Sequence, residues 1–134
     1  KSARALAAAT GAIVVLKGAR TVIASGGAAS SDEDERLAIC PTGNGGMGVG
    51  GMGDVLAGII GALLCSGLAP YDAACAGVYL HGLAGDRLAA RRAPGSLLLP
   101  TEIIDMLDEA RRFADEALQK PAGFDASWPT VALP

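Results

Sequence analysis

The chain has 134 residues, 27 of them alanine and 19 glycine, with aromatic residues at only 4%. One domain of this composition suits close helix packing and bare backbone brought up to a ligand, not a disulfide-stapled scaffold or a base-stacking surface. The formal net charge of −3 leaves no electrostatic footprint for a nucleic acid, and 51% hydrophobic against 19% charged residues excludes global disorder.

Residues 3–9, Ala-Arg-Ala-Leu-Ala-Ala-Ala, predict the end of a helix, with Gly11 as its stop. Ile13-Val14-Val15-Leu16 is a continuous apolar, β-branched run, the pattern of a strand covered on both faces. Lys17-Gly18 breaks it, and Thr21-Val22-Ile23-Ala24 predicts a second strand. Residues 25–36 form a polar connection whose run Asp32, Glu33, Asp34, Glu35 reads as a solvated loop rather than a cation site. Leu37-Ala38-Ile39-Cys40 is a third short strand, stopped by Pro41.

A glycine segment follows, with seven glycines among the eleven residues from Gly43 to Gly53. After Asp54 the pattern turns helical, with Val55, Leu56, Ile59, Ile60, Leu63 and Leu64 on helical spacing through about Ser66, and Gly67 as the stop. Pro70 opens a helix over roughly 70–92, in which Gly77, Gly82 and Gly85 permit close packing. Pro94-Gly95 ends it. Pro100 starts a last amphipathic helix, with Ile103, Ile104, Leu107 and Phe113 or Ala114 inward and Asp108, Glu109, Arg112 and Glu116 outward.

The uncharged run between Asp54 and Asp72 falls short of a membrane span and predicts a buried helix followed by a turn. Lys1 to Ala9 lacks the apolar core and cleavage site of a signal peptide. Cys40, Cys65 and Cys75 include no C-x-x-C pair, so free thiols in a reducing cytoplasm are expected. Short strands followed by three helices predict an α/β fold. Helices this apolar need more sheet than three strands provide, so the chain reads as the C-terminal half of a larger domain.

The glycine segment carries the chemistry. A glycine run loses much conformational entropy on folding, a cost that must be offset by a need for bare backbone. The amides of Gly50 to Gly53, joined by the positive end of the helix starting near Asp54, make an anion site that suits phosphate. Asp54 at that junction reads either as the helix N-cap or as a base that takes a proton from an attacking hydroxyl; the glycine run favours the base. There is no G-x-x-x-x-G-K-[ST]. The G-x-G-x-x-G fragments lack the strand, helix and acidic residue of a dinucleotide fingerprint.

The segment Thr42-Gly-Asn-Gly-Gly-Met-Gly-Val-Gly-Gly-Met-Gly-Asp-Val-Leu-Ala-Gly-Ile-Ile60 resembles the signature of the NAD(P)HX dehydratases, nucleotide-dependent repair enzymes of the ribokinase-like superfamily. Val15-Leu-Lys-Gly-Ala-Arg-Thr21 and Gly77-Val-Tyr-Leu-His-Gly-Leu-Ala-Gly-Asp86 are similar to family segments in order and spacing, and the resemblance spans about residues 1–110. Gly45 and Gly48 stand where the family often has Pro and Ala or Thr. The family domain is about twice as long, and its N-terminal half, which supplies much of the substrate pocket, is not in this sequence.

The resemblance implies a ribokinase-like three-layer sandwich, present here as its C-terminal half over residues 1–118, with an irregular tail over 119–134. It implies dehydration of hydrated NADH or NADPH back to NAD(P)H, with ADP or ATP as co-substrate and Mg²⁺ alongside, in the cytoplasm and in a homo-oligomer, with no nucleic-acid or membrane partner. Asp54 would be the base on the ring hydroxyl and a contact to the hydrated substrate. Asn44, Gly45, Gly46, Met47, Gly48, Val49, Gly50, Gly51, Met52 and Gly53 would wrap the nucleotide phosphates. Lys17, Gly18, Ala19, Arg20 and Thr21 would line the adenylate site, with Lys17 and Arg20 able to neutralise phosphate charge. No cluster of residues identifies a metal position. The alternatives are a ribokinase-like kinase for a vitamin precursor, or a catalytically incomplete nucleotide-binding fragment.

Other residues carry blander readings. His81, the single histidine, reads as a hydrogen-bonded packing residue. Gly85-Asp86 repeats the letters of Gly53-Asp54 inside a helix, without a phosphate role. Met47 and Met52 either shield the nicotinamide or pack beneath the following helix.

Overall fold

The computed structural model describes residues 2–26 and 36–119. The acidic run 32–35, Trp128 and the tail from residue 120 lie outside the described residues. In chain order the elements are α1 (Ser2–Thr10), β1 (Ile13–Leu16), β2 (Val22–Ser25), β3 (Leu37–Ile39), α2 (Met52–Cys65), α3 (Pro70–Ala89) and α4 (Pro100–Gln119), with one 3₁₀ turn over Gly45–Met47.

The three strands form an antiparallel meander in the order β1-β2-β3, with Val14 opposite Ala24 and Ile23 opposite both Val15 and Ala38. The period-two pleat divides their side chains. Val14, Val22 and Ala24 pack against Ala3 and Ala7 of α1, while Ile13, Val15, Ile23 and Ala38 join Leu56 of α2 and Tyr71, Ala74 and Val78 of α3. Helices on both faces give three layers and explain the unbroken apolar run at 13–16, although Leu16, at the end of β1, is exposed. Contact between α1 and the sheet is close enough that a Cβ on Gly26 would collide with the Ala7 carbonyl.

Helix α2 starts at Met52, two residues before Asp54, because Gly51 at φ 83° turns the chain into it. Asp54 therefore lies in the first turn and is not the N-cap. At the far end Gly67, at φ 95°, lets its own amide and that of Leu68 close on the carbonyls of Leu64 and Leu63. The sequence from Val55 to Cys65 contains no charged residue, yet only Met52 and Leu56 of the helix are buried. Ala57, Gly58, Ala62, Leu64 and Cys65 face outward, which corrects the expectation of a fully buried helix. The sheet and α3 cover one side of α2, and no described element covers the other.

Helix α3 is the central post. It opens with Pro70 at its first position, where a missing N–H is harmless, and ends at Ala89, three residues short of the predicted bound. Its glycines admit neighbours: a Cβ on Gly77 would lie 2.6 Å from Ile60 Cγ1. On its other flank Leu83, Ala84 and Leu88 form a core with Met52, Leu98, Ile103, Met106 and Ala110. Leu98 and Ile103 are fully buried, which contributes about 1.5–3 kcal/mol each relative to exposure. Helix α4 turns Ile103, Met106 and Ala110 inward, with Leu107 and Ala114 half-buried. Ile104 is exposed, contrary to the predicted face; of the alternatives Phe113 and Ala114 it is Ala114 that packs inward, while the exposed Phe113 ring lies 4.6 Å beneath the Arg87 guanidinium. Glu109 accepts from Arg91 and from Arg87, an arrangement that holds its carboxyl below the usual range. No helix among the described residues is long and apolar enough to cross a membrane.

Candidate active site

The glycine segment leaves β3 through Cys40 and reaches α2 along the flank of α3. Thr42 is seated by its hydroxyl, which donates to the Tyr79 carbonyl at 3.0 Å. A Cβ on Gly82 would lie 2.7 Å from the Thr42 carbonyl carbon, so only glycine lets the segment approach this closely. One turn further along α3, the Asp86 carboxylate accepts from Gly43 N at 2.8 Å and from Asn44 Nδ2 at 2.9 Å. Asn44 Oδ1 in turn accepts from Gly46 N at 3.0 Å and caps the 3₁₀ turn. The Gly46 carbonyl accepts from Leu98 N at 2.9 Å, tying the loop to the α3–α4 connection. Met47 drops its thioether into the notch left by Gly85, and Met52 is buried in the core. Both methionines thus pack within the protein and do not project as a shield.

These bonds leave particular amides uncommitted. The N–H groups of Met47, Gly48, Val49 and Met52 are directed at loop carbonyls, and that of Asp54 at the Gly51 carbonyl at 3.0 Å. Among the described residues, the N–H groups of Gly50, Gly51 and Gly53 find no acceptor. They belong to the leading end of a 14-residue helix, where the macrodipole is positive.

A cation is brought to the same place. The β1–β2 turn carries Lys17 so that its Nζ occupies the position a Cβ on Gly53 would take. Lys17 makes no ion pair among the described residues. Gly18, Ala19 and Arg20 are exposed in this turn, Arg20 at φ 151°, a value rare for a side-chain-bearing residue, and Thr21 Oγ1 donates to the Gly18 carbonyl. The structure thus brings Lys17 and Gly53 together, and the rest of the turn follows Lys17 in chain order.

Asp54 is exposed and makes no side-chain hydrogen bond or ion pair among the described residues. Behind the start of α2 lies His81, 8% exposed, whose Nε2 has no hydrogen-bond partner. Burial pushes its pKa below the ordinary value, and the nearby Lys17 charge adds to that shift. A hydrogen bond to the Met52 backbone opposes the shift, so the packing role expected of His81 comes with one bonded side of the ring and one orphaned. On the loop's other side a cleft of about 420 Å³ is lined by Asn44, Gly45 and Gly46 together with Ala89, Ala93, Pro94, Gly95 and Ser96. No three His, Cys, Asp or Glu side chains gather as a metal site among the described residues.

Sequence reasoning missed Asp86 and the cleft. The first was set aside because it lay inside a helix; the second depends on the 93–96 connection returning to Gly46, which no local pattern signals.

Residues 1–109 match the family model described as NAD(P)H-hydrate dehydratase. The bifunctional NAD(P)H-hydrate repair enzyme of Escherichia coli (strain K12) is 57% identical over 81 residues, which is 60% of this chain and 14% of that protein. The ADP-dependent (S)-NAD(P)H-hydrate dehydratase of Neisseria meningitidis serogroup B is 42% identical over 100 residues, 75% of this chain and 31% of that protein. Among solved structures, the ADP/ATP-dependent NAD(P)H-hydrate dehydratase of Bacillus subtilis, co-crystallised with ATP and Mg²⁺, aligns at a TM-score of 0.71 and 34% identity, covering 84% of this chain and 38% of that one. The chain spans less than half the length of each of these proteins.

Proposed function

Because this chain belongs to the NAD(P)H-hydrate dehydratase family, we propose that it supplies the phosphate-binding loop and the base for nucleotide-dependent repair of hydrated NADH and NADPH. The observation that carries the proposal is the meeting of Lys17 Nζ with Gly53 at the start of α2, in the stretch whose Gly50, Gly51 and Gly53 amides are uncommitted. Preorganised donors of this kind, with one cation, suit the terminal phosphates of ADP or ATP. Asn44 to Gly48 and the turn Lys17 to Thr21 would flank the rest of the nucleotide, with the cleft beside Asn44–Gly46 taking its base.

Asp54, on the turn that carries those amides, takes the proton from the ring hydroxyl of the hydrated nicotinamide. The hydroxyl oxygen bonds to the terminal phosphorus as the bond from that phosphorus to the nucleotide's bridging oxygen breaks. The ring nitrogen's lone pair then expels phosphate, and loss of a proton from the neighbouring carbon restores the double bond. Nucleotide, phosphate and NAD(P)H are the products, and the two protons released balance the charge. Such a transfer relies on positioning and charge stabilisation, which the loop, Lys17 and Asp54 provide. Mg²⁺ fits this donor set as an ion carried by the nucleotide phosphates, with Asp54 the one carboxylate in the first turn of α2. It would supply further neutralisation of phosphate charge.

The test supplies hydrated NADH with ADP or ATP and Mg²⁺ and follows the return of reduced-nicotinamide absorbance. A second reading rests on the exposure of Asp54 and of one side of α2: a nucleotide-binding piece that turns over only with further polypeptide to close the substrate side. ADP binding without NADH formation selects the second reading, and absence of nucleotide binding rejects both. The free thiols of Cys40, Cys65 and Cys75 support a reducing, cytoplasmic setting. A homo-oligomer, and the absence of nucleic-acid or membrane partners, complete the reading.

A further inference from the structure

The glycine segment has little reason of its own to hold one shape, since seven of its eleven residues from Gly43 to Gly53 lack side chains. Its shape is imposed from α3. Asp86 places one carboxylate oxygen on Gly43 N and the other on Asn44 Nδ2, two charge-assisted bonds to adjacent residues. A carboxylate only accepts, so it dictates which way the Asn44 amide points: the NH₂ faces Asp86 and the oxygen faces Gly46 N, at 3.0 Å. The Gly46 carbonyl is then presented to Leu98 N. One residue before Asp86, the absent side chain of Gly85 leaves the notch that Met47 fills. Asn44 Oδ1 and one of the two Nδ2 N–H groups are thereby committed to the loop's own structure.

The charge makes the arrangement informative. An anion beside a loop built for an anionic ligand is unfavourable unless its charge is absorbed locally. Here both oxygens are occupied by loop donors, and the carboxylate orders the loop without presenting a free oxygen to the ligand. We propose that Asp86 is a positioning residue: acting through Gly43 and Asn44, it sets the glycine segment so that the amides of Gly50, Gly51 and Gly53 are held ready for nucleotide phosphate. The last clause rests on the nucleotide reading given above; the positioning of the loop does not.

The experiment uses the 134-residue chain, with amide hydrogen exchange read residue by residue by NMR and ADP affinity read by calorimetry. Asp86→Asn keeps the size but brings an NH₂ where an acceptor is needed. The amide oxygen it keeps can still accept from Gly43 N, but its NH₂ turns the Asn44 oxygen towards itself and away from Gly46 N, so Asp86→Asn should abolish the slow exchange of the Gly46 amide and weaken ADP binding by about tenfold, while the amides of α3 and α4 keep their protection. The double exchange Asp86→Asn with Asn44→Asp restores complementary donors and acceptors, and should restore protection at the Gly46 amide. Wild-type protection at Gly46 in Asp86→Asn, or no recovery in the double exchange, overturns the proposal. If Asp86→Asn does not fold, Asn44→Ala, which leaves α3 untouched, must lose Gly46 protection for the proposal to stand. Failure of the wild-type chain to bind ADP overturns the nucleotide reading, while the exchange measurements still decide the role of Asp86.

Discussion

Lys17 Nζ lies in the space that a methyl group on Gly53 would require, so the cation of the β1–β2 turn and the bare backbone opening α2 depend on each other. Gly53→Ala is expected to displace the ammonium and weaken ADP binding about tenfold, comparable to Lys17→Ala. Because both changes act on one cation, the double variant should bind scarcely more weakly than Lys17→Ala alone. Calorimetric titration of the three variants checks this, and strictly additive losses would show that the two residues act separately.

Asp54 and the uncommitted amides have separable tasks, one in proton removal and one in holding phosphate. Asp54→Asn should lower the repair rate by about 10²–10⁴-fold while leaving ADP affinity nearly unchanged. Measuring NADH recovery and ADP binding on the same preparation gives both numbers. Repair at the wild-type rate in this variant would remove Asp54 from the mechanism.

His81 is buried, its Nε2 has no partner, and its pKa is lowered by burial and by Lys17. A folded-state pKa below the unfolded value means that the unfolded chain takes up the proton first. The His81 contribution is therefore fully present above about pH 6.5 and is lost as the pH falls from there towards the lowered folded value. Urea melts between pH 7.5 and 5 should show stability falling in that window. His81 is the chain's single histidine, so His81→Gln should flatten the curve, and an equally steep fall in that variant would point to another group.

Gly82 and Gly85 both receive the glycine segment, but against different neighbours. Gly82 faces Thr42 backbone, which cannot yield, and Gly85 faces the flexible Met47 side chain. Gly82→Ala should destabilise the fold by about 3 kcal/mol and Gly85→Ala by about 1 kcal/mol, the two ends of the usual overpacking range. Denaturant midpoints for the pair provide the check, and the reverse order would contradict this packing.

The parts legible in the sequence were those carried by neighbouring residues. The run Ile13 to Leu16, the glycine segment and the stop at Gly67 each signal their structure locally. The start of α2 was placed late because Gly51 caps it by backbone geometry, with no Ser, Thr or Asp to mark the position. Ile103 and Ile104 are adjacent apolar residues, and only the packing against α3 decides which one is buried. Asp86 was hidden for a related reason: its partners Gly43 and Asn44 lie 43 and 42 positions away, beyond any local pattern. An all-apolar helix reads as buried all round, so the open side of α2 could be seen only in three dimensions.

That open side has a practical consequence. Leu64, at 43% exposure, and Leu68, at 38%, continue the outward strip of Ala57, Gly58 and Ala62, and Cys65 adds an accessible thiol. Solutions of this polypeptide will tolerate low concentrations better than high ones, and reductant better than air. Light scattering during purification is therefore the first quality control before any affinity is quoted.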